Sequence, residues 1–78
     1  MDAKLIVKEI AKRVRESRVK SGAVQADIAR DTDVHPFTVL RYESGRTWQN
    51  LEWLYKFAEK YGLNVHDLLP PVDHQHEE

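Results

Sequence analysis

Seventy-eight residues bound the chain to one domain with a modest core. The absence of cysteine excludes disulfides and thiolate metal sites, no apolar run reaches the length of a membrane span, and Lys4 and Lys8 interrupt the first apolar stretch, which predicts no signal peptide. The net charge of −1 hides an asymmetry: residues 4–46 hold ten Lys/Arg against six Asp/Glu, and residues 47–78 hold two against six, so one half suits phosphate and the other repels it.

Apolar residues recur three and four apart throughout, which predicts an all-α chain. Leu5, Ile6, Ile10, Val14 and Val19 form the stripe of a first helix, and Gly22 ends it in a left-handed C′ position. A short second helix is expected over about 25–31, burying Ile28 and Ala29. "DTDV" is a turn, in which Asp33 takes a positive φ. A third helix is expected over about 36–44, with Pro36 at its first position, where a missing N–H costs nothing. "RTWQN" is a loop and Asn50 a helix cap. The fourth helix, over about 51–61, turns Leu51, Leu54, Phe57, Ala58 and Tyr61 inward, and Gly62 closes it. Asn64 and Asp67 have capping-box spacing for a fifth, short helix carrying Leu68 and Leu69. Pro70-Pro71 stops it. The division expected is one domain over residues 1–71 and a flexible polar tail over residues 72–78.

The second and third helices with their tight turn carry the chemistry. With Val34, Val39 and Tyr42 pointing into the core, His35, Pro36, Phe37, Arg41 and Ser44 share the outward face, and Leu40 lies at its edge. Turning Phe37 inward instead would put Val39 and Tyr42 in water. Buried anchors behind a varied, exposed front are the layout of a recognition helix.

"RVRESRVKSGAVQADIA", "TVLRYESG" and "LEWLYKFAEKYGLNVHDLL", in that order, resemble the Cro/C1-type (XRE) helix-turn-helix family of phage repressors and bacterial regulators, from about Ile10 to Leu69. The resemblance implies a compact five-helix, lambda-repressor-like domain. It implies sequence-specific binding of double-stranded DNA by a transcriptional regulator, a repressor acting as a homodimer on a near-palindromic operator. A cytoplasmic, nucleoid-associated setting in a bacterium or phage goes with it. Position by position, Gln25 would contact a phosphate, and His35, Pro36, Phe37 and Arg41 would meet base edges. Thr38 and Leu40 belong to the same DNA-binding set, and Ser44 and Arg46 would flank it on the backbone. Arg18 and Glu43 match a structural ion pair between the first and third helices.

The chain also departs from the family pattern. Val24 stands where Thr or Ser is common, so the second helix has a weak cap. Asp33 replaces a turn glycine, His35 caps the third helix, and Pro36-Phe37 replaces a polar pair. Proline and phenylalanine cannot make the bidentate amide contact to adenine; they pack on thymine methyls or act as a steric wedge. Arg41 is the hydrogen-bonding reader, bidentate to guanine O6 and N7. The half-site expected is a guanine flanked by thymines.

Other features admit two readings. His35 is a cap or a base contact, and Arg41 a DNA contact or a solvated side chain. Lys12, Arg13, Arg15 and Lys20 form a solvated face, of which one or two could approach phosphate. Trp48, with Val65 and His66, is expected at a homodimer interface, the alternative being loop packing. His66, His74 and His76 lack a rigid third ligand, so no metal and no cofactor is expected. No phosphate loop or nucleophile–base pair points to an enzyme. The alternative function is a protein-interaction module on the same scaffold, an antitoxin or adaptor whose main partner is a protein.

Overall fold

The computed structural model describes residues 2–71. Four α-helices follow in order: α1 (Ala3–Lys20), α2 (Gln25–Thr32), α3 (Pro36–Ser44) and α4 (Leu51–Lys60), then a single 3-10 turn over Val65–Leu68. The fifth helix expected from the sequence is that turn. Only four residues lie between the Asn64 cap and Leu69, too few to propagate an α-helix, and the Asp67 N–H closes back on the Asn64 carbonyl at 2.9 Å. The polar tail over 72–78, with His74 and His76, lies outside the described residues. No helix among the described residues is long and apolar enough to cross a membrane.

Local chemistry sets the helix ends. The Asp2 carboxylate accepts from the Lys4 N–H at the start of α1. At its end Gly22 takes φ +78°, and the Ala23 N–H returns to the Arg18 carbonyl. Val24 supplies no side-chain cap to α2; instead its own N–H is accepted by the Asp27 carboxylate, 3.0 Å away. Asn50 caps α4 through the Trp53 N–H.

Ile10, Val14, Ile28, Ala29, Val39, Trp53, Leu54, Phe57, Ala58, Val65 and Leu68 form one core that every element reaches. Two stripes differ from the sequence expectation. On α1, Val7, Ile10, Ala11 and Val14 are buried, whereas Leu5 and Val19 face water. Four residues beyond Val14 is Arg18, so Val19 falls off the stripe. On α4, Leu51 is exposed and Trp53 is buried. Helical phase admits both beside Leu54, Phe57, Ala58 and Tyr61, and Trp53 is the one that α2 covers, with its indole N–H on Thr32. The Trp53 indole lies parallel to Phe57, with ring centroids 5.4 Å apart, and tilts against Tyr42 at 4.7 Å.

Arg13 departs from the solvated role expected of it. Its Nε donates to Glu9 at 2.8 Å and its Nη1 to the Leu69 carbonyl at 3.1 Å. It thereby fastens the C-terminal segment to α1, and its hydrogen bond holds the Glu9 carboxyl below the ordinary range.

Candidate nucleic-acid interface

Helices α2 and α3 meet across Asp33, whose φ of 59° and ψ of 49° are left-handed. The turn leads into α3, which is anchored by Val39, 0% exposed, with Val34 and Tyr42 packed half-buried against the core. His35 caps α3: its Nδ1 accepts the Phe37 N–H at 3.1 Å, and its ring lies parallel to the phenyl with centroids 5.3 Å apart. Pro36 occupies the first turn. Phe37 is 63% exposed and Leu40 47%. Spacings of three and four put Phe37, Leu40 and Arg41 on one face, with Ser44 a turn beyond. Thr38 is half-buried.

Arg41 and Arg46 are exposed and make no ion pair among the described residues. Ser44 links them: its hydroxyl donates to the Arg41 carbonyl at 2.7 Å and accepts from the Arg46 N–H at 3.2 Å. Gly45 then turns at φ +77°, with its vacant Cβ position 3.2 Å from Lys8 Cγ, so α1 passes close beneath.

Behind this face lies a polar junction. Arg18 donates from Nε and Nη2 to the two Glu43 oxygens at 2.6 and 3.0 Å, and from Nη1 to the Ala23 carbonyl at 3.0 Å. Gln25 donates from Nε2 to Glu43 at 3.0 Å. The Glu43 side chain, 4% exposed, therefore ties α1, α2 and α3 together. Gln25 is half-buried with one amide N–H committed inward to Glu43.

The dimer set expected from the sequence is not one patch. Val65 is buried in the domain's own core, packed with α4. Trp48 is 57% exposed beside Ala3, Lys4 and Val7. His66 is exposed beside Arg13, Leu69 and Pro70. Among the described residues no group of three His, Cys, Asp or Glu is placed to hold a metal.

No protein-family model matches the chain. It is 37% identical over 65 residues to the HTH-type transcriptional regulator DdrOP3 of Deinococcus deserti, an alignment covering 83% of this chain and 50% of that protein. The chain thus spans about half the length of its curated relative. The restriction-modification controller protein C.AhdI from Aeromonas hydrophila superposes with a TM-score of 0.76, 22% identity, and coverage of 81% of this chain and 96% of its own. The chain thus resembles an HTH-type transcriptional regulator in sequence and shares the fold of C.AhdI. The DNA-binding domain of BldD shares the fold as well, at a TM-score of 0.77 and 22% identity, covering 88% of this chain and all of its own.

Two polar contacts of this domain escape a sequence reading. Gln49, in the polar "RTWQN" loop, is buried and donates to the Tyr42 and Val7 carbonyls at 2.9 and 3.3 Å. Thr32, the last residue of α2, is buried beneath the Trp53 indole. Glutamine in a polar loop gives no signal of burial. For Thr32 the signal is a tryptophan in phase with the α4 core, since a buried indole N–H needs an acceptor.

Proposed function

We propose that the domain binds double-stranded DNA by sequence and serves a transcriptional regulator, a repressor working as a homodimer. One observation carries the reading: α3 presents Phe37, Leu40 and Arg41 outward while Val39 and the Arg18–Glu43 pair fix its back. In this reading α3 enters the major groove, Arg41 takes a guanine, and Gln25, Ser44 and Arg46 stay on the phosphate backbone. The names of DdrOP3 and of the BldD domain agree with it. Two copies would present their helices about 34 Å apart, one turn of the duplex. Trp48, with the exposed Leu51 and Tyr55, supplies the apolar surface for pairing.

In-vitro selection of bound duplexes tests this reading. It expects half-sites with a guanine among thymines, repeated at one helical turn, and binding that weakens steeply as salt rises. Recovery of unrelated sequences, bound feebly at every salt concentration, would favour instead a protein partner seated on Trp48, Leu51 and Tyr55.

A further inference from the structure

We propose that the front of α3 reads the C5-methyl group of a pyrimidine, whichever base carries it, so that 5-methylcytosine is accepted in place of thymine. The inference rests on the DNA-binding reading above.

The first three positions of α3 have no N–H to spare. Pro36 has none, the Phe37 N–H goes to His35 Nδ1, and the Thr38 N–H goes to the His35 carbonyl at 2.8 Å. A helix N-terminus ordinarily offers these donors to an anion. What this one offers is carbon. Pro36, Phe37 and Leu40 are all exposed, and the parallel His35 ring braces the phenyl from one side. Arg41 and Arg46 border the patch with positive charge, so its complement is an apolar group set among anions. In a major groove that description fits one feature, the methyl at pyrimidine C5.

Thymine and 5-methylcytosine share that methyl and differ in the neighbouring group, a carbonyl oxygen in one and an amino group in the other. Telling them apart takes a hydrogen-bonding atom, and Pro36, Phe37 and Leu40 carry none on their side chains. The patch therefore senses the methyl and not the base. Cytosine methylation would create sites where the unmodified sequence has none.

The test uses the full chain and a duplex recovered by selection. Thymines are replaced singly by deoxyuridine, which deletes the methyl and leaves every hydrogen-bonding group. Affinity should fall about threefold to fivefold at each contacted position, the value of one buried methyl. Placing 5-methylcytosine at such a position should improve on cytosine by a similar factor. Phe37→Ala, at an exposed site and with its helicity checked by circular dichroism, should erase both differences. Deoxyuridine duplexes that all bind like thymine, methylated cytosine that binds like cytosine, or an Phe37→Ala protein that keeps both effects would overturn the inference and leave DNA binding intact. A selection that yields no salt-sensitive duplex overturns both.

Discussion

Trp53 donates its indole N–H to the Thr32 hydroxyl at 2.9 Å, and that hydroxyl donates in turn to the Ile28 carbonyl at 2.7 Å. One oxygen thus joins α4 to the C-terminal end of α2, just before the left-handed turn. Thr32→Val keeps the shape but strands the indole N–H. The expected loss is about 1–3 kcal/mol in urea denaturation, with an unchanged m-value.

The Arg18–Glu43 pair should behave as a unit. Arg18→Ala or Glu43→Ala alone should cost about 3–5 kcal/mol, because each leaves a charge in a largely buried place. The double substitution should cost clearly less than the two losses added. Equilibrium unfolding of the four proteins closes this cycle, and simple additivity would mean that the pair is not coupled.

Asp31 and Tyr61 should contribute to stability at both ends of the pH range. The Tyr61 hydroxyl donates to Asp31 at 2.6 Å. That bond, ahead of the nearby Arg30 charge, holds the Asp31 carboxyl below its ordinary 3.8. Burial, and then the same bond, push the Tyr61 phenol from 10.0 up to about 12. The Asp31 contribution is present above its unfolded value and is lost as pH falls through its depressed folded one. The Tyr61 contribution is present below 10.0 and disappears as pH rises toward about 12. Tyr61→Phe should flatten both limbs of a plot of urea midpoint against pH. It should also remove the latest tyrosine from an ultraviolet titration.

The arginines of the interface should separate by role. Arg41→Ala should weaken the selected site by about 1–3 kcal/mol and relax the preference for guanine at one position. Arg46→Ala should weaken all duplexes alike and reduce the salt slope by about one. Binding isotherms on selected and shuffled duplexes at two salt concentrations distinguish these outcomes. Equal loss of sequence preference in both variants would refute the division.

Trp48→Ala should shift sedimentation from dimer toward monomer without loss of helicity. A protein that remains dimeric would remove Trp48 from the proposed interface.

Much of this architecture could be read from residue order. Gly22, Gly45 and Asp33 break the helical rhythm where the backbone turns left-handed, and Pro36 marks the first turn of α3. The outward direction of Phe37 and Arg41 follows from the period set by Val39 and Tyr42. What resisted reading depends on contacts between distant segments. Leu51 and Trp53 are both apolar, two residues apart, and only the position of α2 decides which one is covered. Val65 carries no mark distinguishing a core residue from an interface residue. The Gln25–Glu43 bond joins residues eighteen apart whose meeting requires the α2–α3 angle. Hydrophobic phase is local and therefore legible, whereas polar partnerships are set by tertiary geometry.

Gln49 gives the link between α3 and α4 its mechanical character. Its amide nitrogen is moored to a carbonyl on α1 and another on α3, while its own buried oxygen has no partner among the described residues. The segment that carries Arg46 and Trp48 is therefore pinned at its C-terminal end. Trp48 is the neighbour of this moored glutamine, so the loop beside the indole is fastened to α1 and α3 together.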